Sequence, residues 1–322
     1  MKNGYIIITL ILILSFLLMP LLAISEKPKT DENISSGSTS SVTDKKAGEV
    51  AVYISESKTV VNMSVKDYIC GVVAAEMPAS YETEALKAQA VCAYTYLCKK
   101  LKENNTNDYD ITDDYKVNQG YITLEKRKSK WGENFSEYEN KILSAVEQTL
   151  NKKITYNGEI IFAAYHAISS GKTEAAENVW GGDYPYLISV ESEGDLLAKD
   201  YLTEKTFSVA DFTGIIKEKV ENMPETVQEY IGESVKSKVG TVLKITICGK
   251  EFKGTEIREY FDLRSSNFDI AYDEKTGFIF TVKGYGHGVG MSQNGANYLA
   301  KQGKTYEEII KHYYKGVEIS DK

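Results

Sequence analysis

Residues 64–102 read SVKDYICGVVAAEMPASYETEALKAQAVCAYTYLCKKLK, and their pattern predicts two packed helices. Ser64, followed by Asp67 three residues later, predicts the start of the first helix and is close to a capping box. The expected buried face carries apolar residues at the helical spacing of three and four. They are Val65, Ile69, Val72 and Val73. Glu76 is the next position on that face, and Pro78 should end the helix because proline disfavours a helical residue before it.

The carboxyl group of Glu76 is the first candidate for chemistry. A carboxylate at the end of an apolar stripe is partly removed from water, which favours its protonated form and raises its pKa. Such a group can act as an acid near neutral pH. The pattern alone also allows Glu76 to turn to solvent at the helix end, or to pair with a lysine.

A second helix is expected from Thr83 to about Lys102, with Thr83 as its N-cap. Its apolar stripe is rich in alanine, which would allow close packing against the first helix. The stripe comprises Leu86, Ala90, Ala93, Leu97 and Leu101. Further along the chain, Ser136 and Glu139 form a capping box that predicts the start of a third helix.

Asn157 and Gly158 predict a tight hairpin. The strand leaving it should place four residues on one face, the last of them His166. The four are Ile160, Phe162, Ala164 and His166. His166 is then expected to face inward, where a histidine is more often a hydrogen-bonded core residue than a catalyst.

The loop after this strand ends in Gly171-Lys172-Thr173, like a phosphate-binding loop. Such a loop requires a glycine five residues before Gly171, and His166 stands there instead. We therefore reject a nucleotide-binding function. The hydroxyls, amine and backbone donors of this loop could instead bind a polar ligand, which makes Ser169, Ser170, Lys172 and Thr173 candidates.

The C-terminal half predicts strands at 242–247, 268–272 and 278–282. Residues 284–295 then read GYGHGVGMSQNG, with glycines at alternate positions that allow left-handed angles and close approach to a ligand. His287 lies between two of these glycines and is expected to be exposed. Ser292 could cap a short helix that runs to about residue 302, with Gln293 at its start.

Composition excludes several classes of protein. The 322 residues include 42% hydrophobic and 26% charged residues, which argues against wholesale disorder. The net charge of −8 argues against nucleic acid as a partner, because phosphate binding needs a basic surface. Four cysteines in this length are too few for a disulfide framework. Tyrosine is unusually frequent, with 23 Tyr against 10 Phe.

Residues 5–24 (YIIITLILILSFLLMPLLAI) are twenty uncharged residues, long enough as a helix to cross a membrane. They predict a single-pass anchor with a short cytoplasmic terminus at 1–4; a cleaved signal peptide is the alternative. Lys2 precedes the span and acidic residues follow it, which favours an extracytoplasmic location for the rest of the chain. The polar segment 25–48 predicts a flexible linker. The globular, extracytoplasmic region is then 49–322.

Three stretches together resemble the stage II sporulation protein D family, which is related to the amidase enhancers of bacterial cell-wall lysis. They are VVAAEMPASYETEALKAQAV (72–91), YHAISSGKTEAAENVW (165–180) and GHGVGMSQNGA (286–296). The segment EIREYFDLRSSNFDI (256–270) is a weaker match. The resemblance covers most of residues 50–320, and all three motifs in order are a specific signal.

The resemblance implies a peptidoglycan lytic transglycosylase that acts in engulfment during sporulation. Such an enzyme cleaves the MurNAc–GlcNAc bond without water and leaves a 1,6-anhydro-MurNAc end. The glutamate of the AAEMP motif is essential in the family, and here it is Glu76. Candidates for binding the glycan strand are His166, Ser169, Ser170, Lys172, Thr173, His287, Ser292 and Gln293. The alternative is a glycan-binding protein that has no catalytic activity and activates a cell-wall amidase.

The resemblance also implies a fold and partners. We expect an α+β fold, with helices packed against antiparallel strands and hairpins around a glycan-binding groove, in one or two subdomains. The implied partners are an amidase–endopeptidase and a multi-pass membrane protein of the engulfment machinery. The family often has an arginine where this chain has Tyr94, which removes any sugar contact of that arginine.

Some relatives carry a zinc site of histidine and cysteine. The four cysteines here lack the short spacing of such a site, and we expect neither a metal nor another cofactor. They are Cys70, Cys92, Cys98 and Cys248. Cys70 and Cys92 are expected in the core.

Overall fold

The computed structural model of the protein describes residues 48–103 and 108–321. The predicted cytoplasmic terminus and anchor (1–24) lie outside the described residues, as does the predicted linker (25–48) apart from Gly48. Within the described ranges, none of the helices combines the length and the apolar character needed to cross a membrane.

A small sheet precedes the first helix. Strands β1 (Glu49–Ile54) and β2 (Thr59–Ser64) form an antiparallel hairpin, with Val50 opposite Met63. Strand β3 (Ile111–Thr112) joins the other edge of β1 in parallel. The sheet thereby brings the segment that follows β3 close to the first helix.

Helix α1 (Val65–Glu76) confirms the predicted bounds at both ends. The hydroxyl of Ser64 accepts a hydrogen bond from the amide of Asp67 (3.0 Å), which satisfies one of the free amides of the first turn. The helix ends two residues before Pro78, as expected from the steric effect of proline. The apolar face is buried and Glu76 follows it.

Helix α2 spans Thr83–Lys102, also as predicted, but its N-cap is Glu82. Glu82 has the extended backbone of a cap residue (φ −59°, ψ 146°), so Thr83 is already the first helical residue and does not cap. The amide of Glu82 donates instead to the side chain of Asn297 (2.8 Å). Cys70 and Cys92 lie in the core between the helices, as expected.

The third predicted helix is present as α4 (Phe135–Thr149), and the shorter helix α3 (Leu124–Trp131), which the sequence analysis did not predict, precedes it. The predicted capping box at Ser136 is wrong. A 3-10 turn at Gly132–Asn134 continues directly into α4, so no extended residue is present to act as a cap.

The predicted hairpin at Asn157-Gly158 joins β4 (Lys153–Tyr156) to β5 (Glu159–Ile160). Both turn residues have positive φ, 50° and 81°, as this turn requires.

The single strand predicted from Ile160 to His166 is wrong, because it is interrupted. Strand β5 ends at Ile160 and β6 comprises only Tyr165–His166. Between them, the amide of Phe162 donates to the hydroxyl of Tyr186 (3.0 Å) rather than to a neighbouring strand. His166 is nevertheless buried, as predicted, with 4% of its surface exposed.

Residues 176–283 form two further three-stranded antiparallel sheets, in the orders β10-β9-β8 and β11-β12-β7. The three strands predicted here are confirmed as β9, β11 and β12. The elements in chain order are α5 (Ala176–Val179), β7 (Leu202–Phe207), α6 (Val209–Ile216), β8 (Ile231–Lys236), β9 (Val242–Ile247), β10 (Lys250–Lys253), α7 (Gly254–Tyr260), β11 (Phe268–Asp273) and β12 (Gly277–Lys283).

The glycine-rich segment leads into β13 (Met291–Ser292), which pairs in parallel with β6. Helix α8 (Gln293–Lys301) begins there, and Ser292 caps it as predicted by accepting from the amide of Gly295 (3.1 Å). The chain ends in α9 (Tyr306–Tyr313) and β14 (Glu318–Ser320). Strand β14 pairs antiparallel with β4.

The fold is α+β, as expected, with one difference. Most strand pairs are antiparallel, but β1 with β3 and β6 with β13 are parallel. The buried apolar residues form two clusters. One includes α1, α2, α4, α8 and α9, and the other lies among β7, α6 and β8–β12.

Candidate active site

Glu76 lies on the wall of a cleft with a volume of about 620 Å³. Segments distant in the sequence form the walls: the end of α1, the loop before α3, strand β6 and the glycine-rich segment. Of the residues that the sequence singled out, Glu76, His166, His287 and Gln293 all line this cleft.

One oxygen of the Glu76 carboxyl is fixed by the backbone. The amide of Gly120 donates a hydrogen bond of 2.7 Å to Oε1 of Glu76. A Cβ atom on residue 120 would lie 3.0 Å from the same oxygen, so the absence of a side chain permits this close approach.

Tyr165 and Gln293 also lie within hydrogen-bonding reach of the Glu76 carboxyl. The amide nitrogen of Gln119 donates to the carbonyl of Ala93 (3.3 Å), which leaves its oxygen to accept from the hydroxyl of Tyr165 (3.0 Å). Since a phenol carries one proton, the Tyr165 oxygen is left as an acceptor. A protonated Glu76 is the donor that matches it.

Burial raises the pKa of the Glu76 carboxyl above its usual 4.5, and the hydrogen bonds of Gly120 and Gln293 only partly oppose this rise. The position of Glu76 in the last turn of α1 acts in the same direction, because the carboxyl end of a helix disfavours negative charge. Glu76 can therefore hold a proton where an exposed glutamate would have lost it.

The two histidines on the cleft wall lie side by side, with ring centroids 5.8 Å apart. Burial lowers the pKa of both imidazoles, that of His287 to about 3, so both are neutral at pH 7. The expectation that His287 is exposed is wrong, because its ring is half-buried against Trp180, at 4.9 Å between centroids.

Aromatic side chains at the rim of the cleft expose much of their surface. Tyr115 is 72% exposed, Tyr285 46% and Trp180 43%. Aromatic rings of this kind offer apolar faces to the C–H surfaces of a ligand. Two other tyrosines singled out by the sequence lie outside the cleft lining. Tyr121 stacks on a buried tyrosine, and the hydroxyl of Tyr94 donates to Asn151 at 3.4 Å.

Asp195 is fully buried and connects two of the sequence motifs. Its carboxylate accepts from the amide of Ser169 (2.9 Å) and from the hydroxyl of Ser292 (2.7 Å). The hydroxyl of Ser192 (2.9 Å) and the side-chain amide of Asn294 (3.2 Å) donate to it as well. Ser169 and Ser292 are thus bound to the protein itself and lie outside the cleft lining.

The remaining candidates of the Ser169–Thr173 loop also lie outside the cleft lining. Ser170 donates to the carbonyl of Val239 (3.1 Å), and Lys172 forms an ion pair with Glu191 (2.6 Å). The hydroxyl of Thr173 is buried and accepts from the amide of Val190 (3.0 Å). A role for these residues in binding a ligand stays a prediction.

Within residues 48–103 and 108–321, no group of three or more His, Cys, Asp or Glu side chains is placed to hold a metal ion. The polar side chains of the cleft wall include one half-buried carboxyl, two neutral imidazoles, three amides and the guanidinium of Arg258. These groups suit proton transfer to an uncharged polar ligand.

Fold and site together define an α+β protein with a half-buried acid on the wall of a large cleft. The sequence model of the family described as Stage II sporulation protein matches residues 53–156. The chain is 38% identical to Stage II sporulation protein D of Bacillus amyloliquefaciens and 38% identical to that of Bacillus subtilis (strain 168). Each similarity covers 84% of this chain, and 78% and 79% of the relatives. The chain belongs to the stage II sporulation protein D family, as its motifs indicated.

A more distant relative is the Amidase enhancer of Bacillus subtilis (strain 168), with 29% identity. That similarity covers 78% of this chain and 40% of the relative. It agrees with the kinship to amidase enhancers that the motifs suggested.

Sequence reasoning missed three parts of the site. Gly120 and Gln119 lie in a loop without a pattern of its own, and their contacts to the site join residues far apart in sequence. Arg258, whose half-buried guanidinium lies on the cleft wall, belongs to the weaker motif at 256–270, which could have identified it. Asp195 has no local signal at all.

Proposed function

We propose that the protein is a peptidoglycan lytic transglycosylase that cleaves the MurNAc–GlcNAc bond and leaves a 1,6-anhydro-MurNAc end. The observation that carries this proposal is the half-buried Glu76 carboxyl, with its raised pKa, on the wall of a large cleft. Membership of the stage II sporulation protein D family supports a role in sporulation.

Glu76 can supply both proton transfers of this reaction. Its acid form donates a proton to the glycosidic oxygen as the bond from that oxygen to C1 of MurNAc breaks. The resulting carboxylate then takes the proton of the C6 hydroxyl, whose oxygen forms the new bond to C1. No water is consumed, and the acid form is restored. One carboxyl suffices because the nucleophile belongs to the substrate, unlike the carboxyl pair of hydrolytic glycosidases.

The surroundings of Glu76 suit both of its protonation states. Burial favours the acid before the first step. The amide of Gly120, at 2.7 Å from Oε1, stabilises the carboxylate between the two steps. The exposed rings of Tyr115, Trp180 and Tyr285 at the rim offer apolar faces to sugar rings.

The proposal includes a setting for the reaction. The apolar segment 5–24 would anchor the chain in the cell membrane, with residues 49–322 outside the cytoplasm. A linker of residues 25–48 would allow the domain to reach roughly 25–30 Å from the membrane as a coil. An amidase–endopeptidase and a multi-pass membrane protein of the engulfment machinery are the proposed partners.

The test is mass spectrometry of glycan strands digested by the purified full-length protein. We expect products lighter by one water than those of hydrolysis. Glu76→Gln should lower the rate by roughly 10²–10⁴-fold, because it removes the proton donor. Glu177→Gln, at an exposed glutamate, is the matched control and should leave the rate unchanged.

Two results would contradict the proposal. Cleavage that persists in Glu76→Gln would exclude this residue as the acid, and hydrated product ends would indicate a muramidase. The similarity to the Amidase enhancer keeps a second function in view, a glycan-binding activator of an amidase. A wild-type protein that leaves glycan intact but raises the activity of a cell-wall amidase would favour that second function.

A further inference from the structure

The two neighbouring histidines of the cleft, His166 and His287, differ in the hydrogen bonds of their ring nitrogens. Two backbone groups act on the ring of His287. Its Nδ1 accepts from the amide of Val289 (3.1 Å), and the backbone of Tyr165 forms a further hydrogen bond with the ring. The backbone thus holds the ring of His287.

His166 has a partner for one ring nitrogen only. Its Nδ1 lies 3.1 Å from the carbonyl oxygen of Val289. A carbonyl oxygen only accepts, so Nδ1 carries the proton and Nε2 presents a bare lone pair. Nε2 is buried, and no hydrogen-bond donor among the described residues reaches it. Buried polar atoms are nearly always paired, so an orphaned acceptor on a cleft wall calls for a donor from elsewhere.

The surroundings of His166 indicate what kind of donor this is. The guanidinium of Arg258 lies on the same cleft wall and disfavours a second positive charge at His166. The described residues also lack a cluster of ligating side chains that could complete a metal site. Asp195 is the acidic group that acts on His166, but its carboxylate is already bound by four donors. An uncharged O–H or N–H donor is what remains.

We propose that Nε2 of His166 accepts a hydrogen bond from a hydroxyl or acetamido N–H of the bound glycan, and so positions the sugar against Glu76. This inference rests on the proposed function, and it adds the atom, the tautomer and the direction of the hydrogen bond. Nε2 exposes almost no surface, so a neighbouring group must shift as the glycan enters.

Two substitutions separate the two nitrogens of His166. His166→Asn keeps a donor near Nδ1 for the carbonyl of Val289 and removes the acceptor at Nε2. His166→Gln places an amide oxygen near the position of Nε2 and gives up the contact to Val289. Both are made in the full-length Glu76→Gln protein, which cannot turn the glycan over. Binding is then measured by calorimetry with a (GlcNAc–MurNAc)₂ tetrasaccharide.

We expect His166→Asn to weaken binding by roughly 10-fold or more, the effect of removing one partner of a buried hydrogen bond. His166→Gln should bind more tightly than His166→Asn although it unfolds at a lower temperature. A merely structural role would instead make affinity follow thermal stability. The chain has three histidines, so ¹⁵N NMR of the imidazoles can observe Nε2 of His166 directly. Its signal should shift when the tetrasaccharide is added, while that of His312 stays.

Two negative results are distinguishable. If the Glu76→Gln protein binds the tetrasaccharide but His166→Asn binds equally well and the Nε2 signal is unmoved, the inference is wrong and the proposed function stands. If the Glu76→Gln protein does not bind the tetrasaccharide at all, the proposed function fails and the inference falls with it.

Discussion

The backbone amide of Gly120 donates a 2.7 Å hydrogen bond to Oε1 of Glu76, across 44 residues of sequence. This contact holds one oxygen of the carboxyl in place. Because the donor is a main-chain group, a substitution can disturb it only through the space that a side chain occupies.

Gly120→Ala should therefore impair chemistry more than folding. The new Cβ would lie 3.0 Å from Oε1 of Glu76, which must move by a few tenths of an ångström. We expect a rate of glycan cleavage lower by roughly 3–10-fold, since catalysis depends steeply on the position of the reacting group. Gly214→Ala is the control, because its Cβ would have no neighbour within 4 Å. Equal rates for the two variants would show that the contact does not position Glu76.

The raised pKa of Glu76 predicts the pH dependence of cleavage. The acid form is the reactive one in the free enzyme, so kcat/KM should fall as the pH rises through the pKa of this group, which lies above 4.5. His287, with a pKa of about 3, stays neutral near pH 7, so it does not change the pH dependence of kcat/KM there. Rates measured from about pH 4 to 9 check this expectation. A rate that increases steadily over this range would contradict it.

The same shift predicts how Glu76 affects stability. A carboxyl whose pKa is higher in the folded state binds a proton more tightly there than in the unfolded chain. The stability gained from this tighter proton binding is fully present at pH values below the pKa of Glu76 in the unfolded chain. It is lost as the pH rises through the pKa of Glu76 in the folded protein. Glu76→Gln should thus be more stable than the wild type at pH 8, and this difference should shrink toward pH 4. Urea unfolding at both pH values measures it, and a constant difference would argue against a raised pKa.

Local patterns predicted the helices around Glu76 well, because their signals lie within a few residues. Ser64 caps α1, and Pro78 follows its end. Local patterns failed where a residue distant in the sequence takes the hydrogen bond that the predicted element needs. The strand expected through Phe162 is interrupted because the amide of that residue donates to Tyr186, 24 positions away. The capping box at Ser136 failed for a nearer reason, since the preceding turn runs directly into the helix.

The candidate site was predictable to the extent that its residues lie in motifs. Glu76, His166, His287 and Gln293 were all singled out, and they share one cleft. Ser169 and Ser292 lie in the same motifs, but they bind Asp195 rather than line the cleft. The sequence alone does not distinguish these residues from the ones that line the cleft. Which polar residue faces a ligand and which one holds two loops together depends on contacts that only the folded chain makes.

Asp195 should therefore matter for stability. Asp195→Asn replaces one carboxylate oxygen with an amide group. In one orientation the new NH₂ group faces the backbone amide of Ser169. In the other orientation it faces the hydroxyl of Ser292. We expect a loss of roughly 3 kcal/mol in the free energy of unfolding, since the buried donors lose a charged acceptor. Asp262→Asn, at a carboxylate 98% exposed, is the matched control and should cost less than about 0.5 kcal/mol. Similar urea midpoints for both variants would contradict the structural role assigned to Asp195.

Two glycines of the glycine-rich segment allow a final test of how the cleft is assembled. Gly288 and Gly290 both have positive φ, 80° and 74°, so alanine at either site is strained by roughly 1–2 kcal/mol. They differ in their neighbours. A Cβ at 288 would lie 3.5 Å from the nearest side chain, whereas one at 290 would lie 2.0 Å from the carbonyl oxygen of Ala164. That oxygen also accepts from the amide of Met291 (3.0 Å), the start of the β6–β13 pairing.

Gly288→Ala should consequently lower the free energy of unfolding only by the cost of the backbone strain. Gly290→Ala should lower it by at least about 3 kcal/mol. Gly290→Ala should also reduce binding of the tetrasaccharide, because His166 and Gln293 flank the displaced strand pair. Urea unfolding and calorimetry on the two variants provide the comparison. If both unfold at the same midpoint, the close approach of residue 290 to Ala164 does not exist in solution, and the pairing that joins the two motifs must be held in another way.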